Sequence, residues 1–460
     1  MIPYPAYKTT NLPWLPKIPE HWSRLRYKDV LLPKDIRVGN DTTYTLLSLT
    51  KQGVIIRDIS EGKGKFPKDF DSYKVVEKNN FILCLFDVDE TPRTVGVAND
   101  NGMITGAYDI FRVRRCNLQW LYYHYLALDD RKSLKSLYRG LRKTIPLPSL
   151  LSSHIYLPPI AEQEQIVRYL DAMTAKINKL IRAKKKQIAL LQEQRQAIIN
   201  QAVTKGLDPN AEMKDSGIDW LGKIPNHWTV NKVGHFYRSI LGKMLASSQT
   251  DSTYTYEKYL CAKDVHFSGV DLSDLKEMWF SPEEKWKYRI KAGDLLVVEG
   301  GAGAGGAAVF MGSEGELYIQ NSIHRIRTKS KKVSVHFLYY WLYALVGRKY
   351  IDYACNKATI PHFTGDKLFE MPFVLVPISE QNAIVNHLDE VCRKYDSVID
   401  KLKGEIDLAN EYKNSLISSV VTGQIDVRNI PVEDVIPDEF IAEDDPTNEI
   451  EEEFSNESEE

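Results

Sequence analysis

The sequence predicts an α+β protein. Two mixed α/β domains are joined by two long helices that pair as an antiparallel coiled coil, and the whole is an internal pseudo-twofold duplication. Three observations predict this. Trp14-Leu15-Pro16-Lys17-Ile18-Pro19-Glu20-His21-Trp22 returns as Trp220-Leu221-Gly222-Lys223-Ile224-Pro225-Asn226-His227-Trp228, with seven of nine positions identical at an offset of 206. Pro159-Ile160-Ala161-Glu162-Gln163 returns as Pro377-Ile378-Ser379-Glu380-Gln381 at an offset of 218. Each of these is followed by a long apolar stripe at helical spacing. Repeats of this period mark a duplicated unit. Its ends are constant and its middle differs between copies, so one frame presents two different surfaces.

The elements follow in chain order. Residues 1–22 form an N-terminal boundary segment. Residues 23–158 form the first variable domain, with strand-like runs such as Phe81–Phe86 and Tyr108–Val113 between Gly, Asn and Asp turns, then a helical stretch near Leu118–Leu128. Residues 159–206 form the central helical region. Pro158 and Pro159 precede a helix over 162–203, and Lys205-Gly206 supplies a C-cap. Residues 207–228 repeat the boundary segment, and residues 229–376 form the second variable domain. Residues 377–428 carry the second helix, over 380–421. Residues 429–460 form an acidic tail, which its composition marks as disordered.

The helical stripes define the pairing surface. In the first helix it runs through Ile166, Leu170, Met173, Ile177, Leu180, Ile181, Ile188, Leu191, Ile198 and Ala202, interrupted at Lys184 and Arg195. In the second it runs through Ile384, Leu388, Val391, Tyr395, Val398, Ile399, Leu402, Ile406, Ala409, Leu416 and Val420. An offset of 218 carries every apolar position of the first stripe onto an apolar position of the second, and carries Arg195 onto Lys413. At ~1.5 Å per residue such a helix spans roughly 60 Å. A single apolar stripe that long must be buried. The other helix is the obvious partner, giving a rod with a domain at each end; the alternative is that each helix packs on its own domain.

Composition narrows the class. The formal net charge is -2, but fourteen of the 62 acidic residues fall in 429–460, where there is no Lys or Arg. The remainder holds 60 basic and 48 acidic residues, a formal +12, which points to a polyanionic partner. No apolar run approaches 18 residues, so no membrane span is expected. The start, Met1-Ile2-Pro3-Tyr4-Pro5, lacks a secretory pattern. The five cysteines (Cys84, Cys116, Cys261, Cys355 and Cys392) are scattered, with no Cys-x-x-Cys pair. That favours reduced thiols in the cytoplasm and no structural metal.

The boundary motif, with Asp215-Ser216-Gly217 ahead of its second copy, resembles that of type I restriction-modification specificity subunits. The Pro-Ile-x-Glu-Gln segment before a long helix resembles the start of their conserved helical regions. Ala358-Thr359-Ile360-Pro361-His362-Phe363 resembles the close of a target recognition domain, with a looser version at Gly140-Leu141-Arg142-Lys143-Thr144-Ile145-Pro146. The resemblance covers all but the acidic tail. It implies a non-catalytic subunit whose two target recognition domains each read half of a split double-stranded DNA sequence. The helices would set the unread spacer and dock two methyltransferase subunits, and restriction subunits would join them.

The sequence offers little chemistry of its own, and no catalytic residue, cofactor or metal is expected. Gly301-Ala302-Gly303-Ala304-Gly305-Gly306 fits a dinucleotide fingerprint literally, but the apolar run behind it is too short for the helix that the phosphates would require. A loop between strands is expected there. No Asn-Pro-Pro-Tyr/Phe methyltransferase motif is present. Glu61-Gly62-Lys63 with Asp41 upstream matches a nuclease triplet that is common by chance. His21 and His227 sit in Pro/Trp packing motifs and read as structural. The DNA-contact candidates are Lys51, Gln52, Arg93 and Arg112 in the first domain, and Lys263, His266, His324 and Arg325 in the second. A two-headed protein–protein scaffold is the competing reading.

Overall fold

The structure, a computed structural model, describes residues 2–432 apart from 40–43, 58–69, 250, 302, 313–314, 348–349 and 351–361. Most of the acidic tail, Cys355 and the triplet of Asp41, Glu61 and Lys63 therefore lie outside the described residues. The chain divides into two compact units, Met1–Lys184 with Gly404–Glu460, and Lys185–Lys403. Each unit contains one variable region and a part of both long helices.

In the first unit the hairpin Tyr7–Leu12 with Leu15–Pro19 carries the boundary motif. Strand Ser23–Arg26 then pairs antiparallel with His154–Leu157, so the two ends of the variable region are joined. Between them lies a four-stranded sheet in the order Leu31–Lys34, Asp109–Val113, Phe81–Leu83, Val95–Val97. Phe81, Ile82 and Leu83 are all buried, the pattern of a strand covered on both faces. Helix Leu118–Asp130 starts where Asn117 accepts hydrogen bonds from the Gln119 and Trp120 amides. Its Trp120 and Leu121 share a core with Phe81, Leu83 and Phe111. Ile82 and Ile110 look the other way, into a smaller core with Leu47 and Val54.

The second unit repeats this order. Thr229–Lys232 pairs with Pro372–Leu375. The sheet runs Tyr237–Leu241, Ile323–Thr328, Leu295–Val298, Ala307–Val309, and helix Val335–Gly347 covers one face. The unit also has a three-stranded sheet of Lys276–Phe280, Thr255–Leu260 and Tyr318–Ile319, and a short helix, Pro282–Tyr288. That helix starts at Ser281, whose hydroxyl accepts from the Glu284 amide while the Glu284 carboxylate accepts from the Ser281 amide. The Gly301–Gly306 stretch falls between the antiparallel strands Leu295–Val298 and Ala307–Val309. A strand follows it, so the geometry that a dinucleotide site needs is not there.

The long helices span Ile160–Lys205 and Ile378–Val421, each beginning two residues before the expected start. In the first unit Ile166, Leu170 and Ile177 share a core with Leu416, Ile417 and Val420. In the second, Ile199, Ala202 and Val203 share one with Ile384, Val385 and Leu388. Each buried Leu or Ile of this kind contributes roughly 1.5–3 kcal/mol. Contacts run in opposing directions along the two helices within each unit. In the first, Lys413 Nζ donates to Asn178 Oδ1 at 3.2 Å and Lys184 pairs with Glu405. In the second, Arg195 pairs with Asp396, and Gly206 lies against Glu380.

Of the remaining pairing positions, Leu402 is buried while Leu191, Ile198 and Ile406 are half-buried. Leu180 and Val398, by contrast, are 49% and 42% exposed. Adjacent residues on a helix point about 100° apart, so a single seam takes one of each neighbouring pair. Ile181 is half-buried and Ile399 is buried, and these are the inward members. The helices also pack on their own domains: Tyr123 donates to Asp171 and Tyr340 to Asp389, both at 2.6 Å. Within each unit the helical segments thus pack both on each other and on the neighbouring domain.

The two repeated motifs turn out to be partners. Glu162 accepts from Tyr4 Oη at 2.7 Å and Trp22 Nε1 at 2.9 Å, and lies 2.6 Å from His21 Nε2. Glu380 accepts from Trp228 Nε1 at 3.2 Å and lies 2.8 Å from His227 Nε2. The neighbouring glutamines bridge backbone in the same way. Gln163 accepts from the Asn117 amide and donates to the Pro158 carbonyl, and Gln381 accepts from the Ser334 amide and donates to the Val376 carbonyl.

Candidate nucleic-acid interface

The frame described above holds the variable surfaces on which the candidate DNA contacts lie. Lys51 and Gln52 form the exposed two-residue tip of the hairpin Leu47–Thr50 with Gly53–Ile56. Gly53 closes it at φ +113°, a conformation that side chains resist. Thr50 Oγ1 accepts from the Gln52 amide, holding the tip. Ile56 is also 56% exposed beside it. Arg112, exposed on an inner strand of the first sheet, pairs with Glu77 at 2.8 Å, which holds the Glu77 carboxyl below its usual range. Arg93 is mostly enclosed and pairs with Asp130 at 3.1 Å and Asp129 at 3.7 Å. Its guanidinium serves the fold around Thr94, whose amide donates to Asp129.

In the second unit Lys263 and His266 are neighbours on one exposed corner. Lys263 pairs with Asp274 at 3.2 Å, and His266 pairs in register with Gly269 in a small hairpin. His324 and Arg325 are adjacent in sequence but point to opposite faces of their strand, and both are buried. His324 is 4% exposed, lies 3.0 Å through Nδ1 from Ser239 Oγ, and is pushed down to about 4 by burial. Its ring is not on the surface. Arg325 is 5% exposed and donates through Nη1 to the Arg289 carbonyl.

Sequence reasoning singled out Arg325 but missed its surroundings. An open cavity of about 480 Å³ is lined by Arg238, Arg325 and Arg327 from the sheet, and by Lys285, Lys287, Arg289 and Lys291 from the short helix and the turn after it. Glu316, Trp286, Ile240 and Tyr318 complete the lining. The signal was present as basic residues at every second position of 285–291 and again at 325 and 327. Strand register relates this face to the first unit. Arg112 opposes Leu32 there as Arg327 opposes Arg238 here, and Ile110 opposes Lys34 as Arg325 opposes Ile240. The same frame positions thus carry different chemistry in the two units. Among the described residues no group of His, Cys, Asp and Glu is arranged to hold a metal, and no helix is long and apolar enough to cross a membrane.

The two units share one sheet order and register and differ in their surfaces, as a duplicated chain would. Comparison with known proteins agrees: the type I restriction modification DNA specificity domain matches residues 70–190 and 225–408, and the chain belongs to that family. It is 24% identical over 288 residues to the type I restriction enzyme MjaVIII specificity subunit of Methanocaldococcus jannaschii, covering 60% of this chain and 63% of that protein. It is 24% identical over 279 residues to the EcoBI specificity subunit of Escherichia coli, covering 58% of each. The chain thus spans somewhat under two thirds of the length of these relatives. A chain from a structure concerning complex assembly and conformational transition of the type I R-M system superposes with a TM-score of 0.63 at 16% identity, covering 89% of this chain and 99% of that one. That likeness is one of fold.

Proposed function

We propose that this chain is the DNA-recognition subunit of a type I restriction-modification complex in the cytoplasm, without catalysis of its own. Each variable domain reads one half of a bipartite double-stranded DNA target. The two helices pair as an antiparallel coiled coil about a pseudo-twofold axis, set the spacer between half-sites and dock two methyltransferase subunits, to which restriction subunits are added. The observation that carries this reading is the family match in both halves of a duplicated chain whose frame is constant and whose surfaces differ. Exposed apolar residues on the helices, Leu408 and Tyr412 in the first unit and Leu190 in the second, support docking of partners there. The candidate contacts are Lys51, Gln52, Arg112, Lys263 and His266 as surface groups, with Arg325 in the cavity.

The test is binding of the chain, with its methyltransferase partner, to duplex DNA across a salt series. Binding dominated by phosphates weakens linearly in log–log form, with a slope of about −0.9 per phosphate neutralised. A slope of several units is expected. No affinity for duplex at low salt would refute this function and leave the protein–protein scaffold.

A further inference from the structure

We propose that the arginine-lined cavity of the second unit is a phosphate-binding site that grips one backbone phosphate of the bound duplex. This rests on the DNA-recognition reading above. The cavity brings seven cations and a single carboxylate, Glu316, to one space. Glu316 is already engaged by Lys285 at 3.2 Å and Arg289 at 3.1 Å. Lys285 has a second carboxylate, Glu257, at 2.6 Å, and Arg327 is held from behind by Asp294. Among the described residues Arg238, Arg325, Lys287 and Lys291 have no carboxylate within ion-pair distance.

Arg325 is the informative member. It is 5% exposed, and its Nε has no hydrogen-bond partner. Asp294, already paired with Arg327, acts on it only from a distance, and a buried guanidinium with no direct ion pair is costly, the more so beside Arg238 and Arg327. A fold retains such a group where a ligand completes it. Nη1 already donates to the Arg289 carbonyl, and the partner that suits the remaining donors of this cationic cluster is an anion that accepts several N–H groups at once. A phosphate meets both needs, because its oxygens match the guanidinium fork. A carboxylate side chain would satisfy one fork and leave the other cations bare. Trp286, 87% exposed on the rim, adds a flat apolar face beside the charge, which suits a sugar–phosphate chain better than a bare ion. The first unit has Ile110 at the register position of Arg325, so the grip belongs to one half-site only.

Arg238 and Lys291 are exposed, so both can be removed with little risk to folding. The experiment compares the wild-type chain, in its complex, with the Arg238→Ala, Lys291→Ala double variant. A 30-base-pair duplex carrying the target and a scrambled duplex are titrated across a salt series. Pyrophosphate is titrated separately, read by the fluorescence that Trp286→Phe abolishes. The expected result is roughly tenfold weaker binding to both duplexes, with a salt slope smaller by about one unit and the methylated sequence unchanged. An unchanged slope and affinity, with wild-type pyrophosphate binding, would overturn the proposal while leaving DNA recognition intact. If wild type binds no duplex but binds pyrophosphate, and the double variant does not, the site stands with a free phosphate compound as its source and the DNA reading fails.

Discussion

At the scale of single residues, Glu162 and Glu380 explain why the boundary motif is repeated. Each carboxylate, at the start of a long helix, collects a tryptophan N–H and a histidine from the motif. Glu162→Ala leaves Trp22 Nε1 and Tyr4 Oη buried without their acceptor. Each orphaned group costs about 1–3 kcal/mol, so a loss of roughly 2–6 kcal/mol is expected in urea denaturation, against a fraction of that for Glu164→Ala on the exposed face. Equal effects of the two would refute the latch. His324 gives a pH dependence whose sign is fixed. Burial lowers its folded pKa from 6.5 to about 4, so the unfolded chain takes up the proton first. Its contribution is full above pH 6.5 and fades as pH falls toward 4, each tenfold difference in proton affinity being worth about 1.4 kcal/mol. His124, also at about 4, acts in the same direction. Denaturation midpoints should drop between pH 7 and 5, and drop less in His324→Gln. Parallel loss in both proteins would rule out His324 as the source. The sequence showed these histidines as residues but not as buried ones, because burial depends on the opposite face of a strand that the local pattern does not specify.

At the scale of elements, the 218-residue offset recovered both long helices and most of their inward positions. The repeated break at Arg195 and Lys413 has a physical meaning that spacing alone could not supply: Arg195 meets Asp396 and Lys413 meets Asn178, and those partners are themselves 218 apart. Leu180 and Val398 were legible as apolar but not as outward, since both have an apolar neighbour that competes for the seam. Leu388 is fully buried, and Leu388→Asp places an unpaired charge in the core shared by both helices. A loss of several kcal/mol is expected, together with failure to assemble with partner subunits. Wild-type melting and assembly would show that the seam carries little stability. The strands of the variable domains were legible as short apolar runs, whereas their pairing was not, because sheet order depends on contacts far apart in sequence.

At the scale of the whole molecule, the repeated frame was readable from a few identical residues, and the recognition surfaces were not. Lys51 and Gln52 fell on a hairpin tip, as a loop position should, whereas Arg93 became a clamp for its own domain. The cationic cavity escaped notice because its lining comes from four separate stretches of chain. Such surfaces are where the two halves diverge, and under the proposed function they carry whatever sequence is read. Under the proposed function this chain supplies two independent half-addresses to a methyltransferase. The most direct measurement is to co-express it with its methyltransferase partner in a host free of adenine methylation and to sequence the genomic DNA for modified adenines. The proposed function requires one motif made of two short specified parts around a fixed unspecified spacer. A single continuous motif, or unmodified DNA from cells yielding an intact, DNA-binding complex with a methyltransferase proven active by another specificity chain, would contradict it.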